Sequence, residues 1–479
     1  MKQKLLSIVA LLLIFLVVLT SCAPAEPTAV EEEDVDTSEV EEPEEDEVVV
    51  EEPEEEEEES GGEPVVIGVY SLTWTPSSIN AMKGLVDKFN AEHDGEIVAE
   101  YIQGDWGDVE TYLTSGVSAG GGIADVVEYY LGGALDWYNQ GYILDLSPYI
   151  TGEIESTIPE ILWDVRTAED GAVFESCTNV EEHVLIYYNP ALLEEAGIEP
   201  PAPGETWSLA ELLENAKLLT VDADGNRLGE DGFDPLNVVQ WGFVPRLDQE
   251  KLFEEVDVYA TQITEKPLVR KGDDGTWDII FDDEIMPTLE SYLSIITDGI
   301  TPVEAVGLGG SSQDELFFQG TAAMVQRGYF NIAVLKDNYP DFEFGVMPLP
   351  MERDVYFASA AVGQGFSVPT VSEHPEEAAE FVFWMQKPEN QAIYSNSLML
   401  APCNPEAFED PLIKDNPDWD VMRFYKDIQD FAEAEVNPNI SEFRTTVYGP
   451  AMMDVLLGNM TLDEGIDLIK SVSKDVLNQ

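Results

Sequence analysis

Near the front of the folded part of the chain, short β-rich runs each lead into a stretch of helical spacing. Val65-Val66-Ile67-Gly68-Val69-Tyr70 is the first such run, and order begins just before it at Pro64. Ser77 to His93 then places Ile79, Met82, Leu85, Val86 and Phe89 on one face, the spacing of an amphipathic helix. Glu96 to Tyr101 reads as the next strand and Val109 to Val117 as the next helix. Ala124-Asp125-Val126-Val127 reads as a buried strand before a helix around Leu135 to Gln140. Strands alternating with helices predict a largely parallel sheet wrapped by helices. Farther on, Ser208 caps a helix over Leu209 to Thr220, and Met286 to Asp298 is again periodic. No short tandem repeat interrupts this pattern.

The pattern fails at both ends of the first 63 residues. Lys2 and Lys4 precede a stretch from Leu5 to Leu19 that is apolar except for Ser7, too short to favour a spanning helix and typical of an export signal. It stops at Leu19-Thr20-Ser21-Cys22, where a small residue before Cys suits cleavage and lipidation of the Cys22 thiol. From Glu26 to Glu63 the chain is mostly Glu, Asp, Pro, Val, Ser and Thr with no basic residue. Such a segment buries too little apolar area to offset its ordering entropy, and mutual repulsion extends it. We read residues 1–21 as a lipoprotein signal peptide and 22–63 as a lipidated Cys followed by an acidic disordered tether.

Composition narrows the function. The chain has 479 residues, 97 of them acidic and 22 basic, a formal charge of -75. Nucleic acid and other polyanions are therefore excluded as partners, since phosphate binding needs clustered Lys and Arg. Cys177 and Cys403 fall outside the cytosol on this reading; they pair or stay as two isolated buried thiols, because sequence does not supply the Cα spacing a bridge requires.

Several separate blocks resemble the family 1 extracellular solute-binding proteins of ABC importers, the group that includes the maltose-binding protein. In order these are Leu85-Val86-Asp87-Lys88-Phe89-Asn90, Ile123-Ala124-Asp125-Val126-Val127, Gln140-Gly141-Tyr142-Ile143-Leu144-Asp145-Leu146 and Tyr187-Tyr188-Asn189-Pro190. Ala196-Gly197-Ile198 and Thr206-Trp207 follow, then Phe318-Gln319-Gly320-Thr321-Ala322-Ala323-Met324 and Gly345-Val346-Met347-Pro348-Leu349-Pro350. The helix Glu376 to Gln386 and Leu457-Gly458-Asn459-Met460-Thr461 complete the series. The resemblance implies an α/β, periplasmic-binding-protein-like fold of two lobes with a hinge and a ligand cleft between them. It assigns 64–182 and 356–400 to the N-terminal lobe and 183–355 and 401–479 to the C-terminal lobe, with crossings near Glu182 to Val184, Val355 and Ala401. It further implies a monomer that hands a sugar to the transmembrane subunits of an ABC permease, with no cofactor.

A sugar presents apolar C–H faces and a rim of hydroxyls, so its receptor needs aromatic platforms beside fixed polar groups. Trp74, with Thr75 beside it, follows the first strand, where an open α/β sheet binds ligands. Trp106 and Trp241 are further candidates. The resemblance adds Tyr129 as a stacking aromatic with Tyr130 as its substitute, and Glu182 as an acceptor for sugar hydroxyls. It also adds Phe330, where the family commonly has Trp, with Tyr329 as an alternative, and Gln364 between two glycines.

Asp222-Ala223-Asp224-Gly225-Asn226 begins like a calcium loop, but Arg227 stands where the sharp turn wants Gly and Phe233 where a bidentate Glu is needed. It reads as a hairpin turn, and no metal is expected. The rival functions are a secreted glycoside hydrolase, for which a Glu-rich chain offers carboxylate pairs by chance, and a sensory or adhesive lipoprotein without an importer. HExxH and Walker motifs are absent.

Overall fold

The computed structural model describes residues 64–479 apart from 181–183, 250, 265, 352–354, 360–362 and 433–436. The signal segment, Cys22, the tether and Glu182 therefore lie outside the described residues. Among the described residues no helix is long and apolar enough to cross a membrane.

Two sheets organise the chain. In the first, β1 (Val65–Ser71) lies between β2 (Ile97–Gln103) and β3 (Val126–Tyr130), all parallel and joined by the helices Pro76–Glu92 and Val109–Ala119. After β4 (Asn179–Val180) the chain leaves this sheet and enters the second at β5 (Val184–Tyr188). Two small hairpins follow, β6 (Val221–Asp222) with β7 (Val238–Gln240) and β8 (Val269–Lys271) with β9 (Trp277–Ile279). Strand β5 is then flanked by β10 (Met324–Gly328) and β11 (Gly345–Pro348), both antiparallel to it. The chain returns through β12 (Tyr356–Ser359) to β13 (Gln364–Ser367), which inserts between β3 and β4. Next, β14 (Ala401–Pro402) closes the edge beside β4, and β15 (Gln429–Ala432) pairs in parallel with β12.

Within the two main sheets the expectation of a largely parallel sheet holds only for β1, β2 and β3. Strand β13 runs antiparallel to β3, and every pair in the second sheet is antiparallel. The cause is the crossing path. A strand that begins at the junction between lobes runs away from it, opposite to β3, which ends there. The helix predicted from Ser208 is present as Leu209–Leu219, with Ser208 and Glu211 in a reciprocal capping box. The predicted calcium-like turn is a hairpin turn in which the Asp222 carboxylate accepts from the backbone N–H groups of Asp224, Asn226 and Asp234.

Each lobe has its own apolar core. Ile67, Val69, Met82, Leu85 and Phe89 pack with Phe381 and Trp384 of the helix Pro375–Trp384, all almost fully buried. On the other side Leu212, Phe243, Leu252, Tyr292 and Leu293 pack with Tyr448 and Ile469. A third cluster runs from Tyr187 and Val325 of the second sheet to Ala392 and Met399, so that sheet packs against the helix Pro388–Leu398 and its C-cap.

The Cys177 and Cys403 thiols form a disulfide with a Cα–Cα distance of 5.9 Å. Side-chain amides reinforce it. Gln391 donates to the Cys177 carbonyl at 2.6 Å, and the Cys177 N–H donates to Gln386 at 3.0 Å.

Buried acids make stability depend on pH. Burial pushes the Glu175 carboxyl up to about 8, against the pull of Arg166, whose Nε lies 3.5 Å from it. In the other lobe burial likewise pushes Glu255 up to about 8, again opposed by nearby arginines. Raised carboxyl values mean that the folded chain holds more protons than the unfolded chain between 4.5 and about 8. This stability is full below the unfolded value and is lost as pH rises through the folded one. We expect a higher melting temperature at a pH of about 5.5 than at about 8.5. Calorimetry giving the reverse order would show that these carboxyls ionise without cost in the fold.

Candidate ligand cleft

Four of the aromatic rings proposed from sequence meet where the two lobes face one another. Trp74 lies 6.2 Å from Phe330, centroid to centroid and edge-on at 87°, and 6.4 Å from Trp106. Trp106 lies 6.2 Å from Tyr129, which stacks on Trp137 at 4.3 Å. The result is one row of rings from the second lobe, at Phe330, into the first, at Tyr129. Trp106 is the most open ring in it, 39% exposed, whereas Tyr129 is 8% exposed.

Local chain geometry explains each placement. Trp74 sits between β1 and the helix Pro76–Glu92, held by a capping box in which the Thr75 hydroxyl accepts from the Ser78 N–H and the Ser78 hydroxyl accepts from the Thr75 N–H. Thr75 is 2% exposed and its hydroxyl is used in the cap, so it fixes Trp74 rather than offering a free polar group. Phe330 follows β10, and Gly328 makes room for it: a Cβ there would lie 2.4 Å from the Phe330 ring. Beneath that ring the Arg327 guanidinium lies 5.7 Å from the centroid, tied to Asp314 and Asn331 at 3.4 and 3.3 Å.

Tyr129 and Tyr130 are the last residues of β3, not residues beyond it as the sequence suggested, because the aromatic pair continues the ladder opposite Gly365 and Gln364. Below them Glu128 is fully buried and accepts from Tyr394 at 2.6 Å, Ser71 at 2.8 Å and the Leu72 N–H at 2.7 Å. Burial raises its carboxyl, and these donors oppose the rise. Burial also raises the Tyr129 and Tyr130 phenols, which therefore stay neutral and can both donate and accept.

Other sequence candidates lie elsewhere. Tyr329 points into the second lobe's core, fully buried, with its ring 5.4 Å from Trp419 and its hydroxyl donating to the Asp418 carbonyl. Of the pair at 329–330, only Phe330 joins the ring row. Gln364 is 1% exposed and its side-chain oxygen accepts from Asn179 at 3.2 Å, an engagement inside the sheet. Trp241 packs half-buried against the core around Tyr187 and Phe317.

Two features escaped the sequence. Ser441 and the Arg444 charge stand near the Tyr130 phenol and oppose the rise that burial causes. Ser77 bonds Asp337 of the facing lobe. Their partners are hundreds of residues apart, and no motif links them. Among the described residues no group of three or more His, Cys, Asp or Glu is arranged to hold a metal ion.

The sequence profile of the bacterial extracellular solute-binding proteins matches residues 75–392. The chain belongs to that family. This solute-binding protein is 26% identical over 359 residues to an uncharacterized lipoprotein of Streptomyces antibioticus, an alignment covering 73% of each chain. It is 24% identical over 346 residues to the sn-glycerol-3-phosphate-binding periplasmic protein of Pectobacterium atrosepticum, covering 68% of this chain and 71% of that one. Among solved structures its fold is similar to the ABC substrate-binding protein of Listeria monocytogenes in complex with cycloalternan. That match has a TM-score of 0.68 at 18% identity over 87% of this chain and 99% of the other. As a member of a binding family it is a receptor, not an enzyme, and its two-lobed α/β architecture is that of the periplasmic binding proteins.

Proposed function

We propose that this solute-binding protein captures a sugar or related polyol in the cleft and delivers it to the permease subunits of an ABC importer. The observation that carries the proposal is the ring row crossing from Tyr129 to Phe330. Flat apolar faces beside neutral phenols suit a pyranose, which offers C–H faces for stacking and hydroxyls for hydrogen bonds. Trp74, Trp106, Tyr129 and Phe330 are the proposed platforms, with Glu182 accepting from sugar hydroxyls. Closure brings both lobes onto one ligand, and the permease reads the closed shape. The proposed lobes are 64–182 with 356–400 and 183–355 with 401–479. Cys22 carries the lipid that holds the monomer outside the cytoplasm, at the end of the acidic tether.

A thermal-shift panel of mono- and oligosaccharides, polyols and glycerol phosphates, followed by calorimetry, tests this reading. Saturable stabilisation by an uncharged carbohydrate, without turnover, is the expected result. A glycerol phosphate as the sole hit would replace the sugar with an anionic polyol, the class bound by the Pectobacterium relative. No hit of any kind would remove the cleft assignment.

A further inference from the structure

We propose that Ser77 and Asp337 form a latch that draws the lobes together, so that ligand affinity is set in part by a contact that touches no ligand. The proposal rests on the reading that closure accompanies binding.

Both oxygens of the Asp337 carboxylate are used across the cleft. The Ser77 backbone N–H donates to Oδ2 at 3.0 Å, and the Ser77 hydroxyl donates to Oδ1 at 2.7 Å. Ser77 lies in the first turn of the 17-residue helix Pro76–Glu92, where unpaired N–H groups and the helix dipole attract a negative charge. That turn holds no acid of its own, so in a strongly acidic chain it is free to receive one from the other lobe. Asp337 lies near the end of the helix Asn331–Asn338, which starts directly after Phe330. The same two helices thus carry the latch and the edge-on contact between Trp74 and Phe330 at 6.2 Å. Moving one helix off the other breaks both. Neighbouring Lys336 is engaged by Asp418 of its own lobe, which leaves Asp337 to reach across.

Ser77 and Asp337 are positioning residues. A bidentate, partly solvated contact of this kind biases a two-state equilibrium by about threefold to tenfold, and apparent affinity falls by the fraction of closed form that is lost. Both quantities are measurable on the whole folded chain. Spin labels at Glu169→Cys and Asp231→Cys, in a Cys22→Ser background, report the interlobe distance by pulsed resonance without ligand. Asp337→Ala and the charge-repelling Ser77→Asp are each expected to shift that distribution toward the longer distance. Whichever carbohydrate the panel yields is expected to bind about threefold to tenfold more weakly to both variants.

An unchanged distance distribution in both variants overturns the latch, even if the protein binds sugar normally. A shifted distribution with unchanged affinity overturns its role in binding. If no carbohydrate binds the parent chain, the sugar reading fails while the ligand-free distance still judges the latch. Should Asp337→Ala fold poorly, Ser77→Asp, at an exposed position, supplies the same readout.

Discussion

Trp74→Ala is expected to weaken carbohydrate binding about 10–100-fold while leaving the lobes folded. Trp74 stands at the middle of the ring row, touching Phe330 on one side and Trp106 on the other, and is itself only half-buried. Removing it deletes the stacking surface shared by both lobes but opens no deep core cavity. Tyr129→Ala is a poorer probe, because the lost stack on Trp137 at 4.3 Å would also loosen the first lobe. Tyr129→Phe keeps that stack and removes only the hydroxyl, so its expected effect is a smaller loss, about tenfold. Calorimetric titration with the best carbohydrate from the panel reads both variants. Wild-type affinity in both would move the ligand away from this row.

Loss of the disulfide is expected to cost about 2–5 kcal/mol of stability. The bond closes a loop of 226 residues, and a long loop leaves the unfolded chain much freedom to regain once the link is cut. Because Cys177 and Cys403 are almost completely buried, reductant reaches them poorly in the folded chain, and Cys177→Ala with Cys403→Ala is the cleaner test. Denaturant titration is expected to give an earlier midpoint. A coincident midpoint would mean that the amides of Gln386 and Gln391, which already stitch these segments, hold the edge without the bond.

How far the sequence could lead depended on the range over which each feature is determined. Helices such as Pro76–Glu92 and Leu209–Leu219 were legible to within a residue or two, since spacing and a capping serine or threonine are local signals. Trp74 was legible because it follows a strand. The choice between Tyr329 and Phe330 was not: both lie in the turn between β10 and the helix Asn331–Asn338, beyond the strand whose alternation would have told their sides apart. Thr75 looked like a ligand group because its role as cap depends on Ser78 returning the hydrogen bond, where Glu or Gln is the usual partner. Gln364, between two glycines, was expected to reach the ligand, yet β13 is an interior strand and takes it into the sheet. The direction of β13, the Ser77 bond to Asp337 and the pairing of the cysteines all depend on where the chain returns after a long excursion, which no local pattern records.

The position of β13 has a consequence for how the polypeptide acquires its shape. The first sheet holds β3 and β4 apart until Gln364–Ser367 arrives to fill the gap, and its edge waits for Ala401–Pro402. A ribosome that has released only the first three hundred residues has made β1 to β9 but no complete first lobe. Nascent chains that end before β13 are therefore expected to stay protease-sensitive, and the segment emerging late from synthesis is the one that lets the early half consolidate.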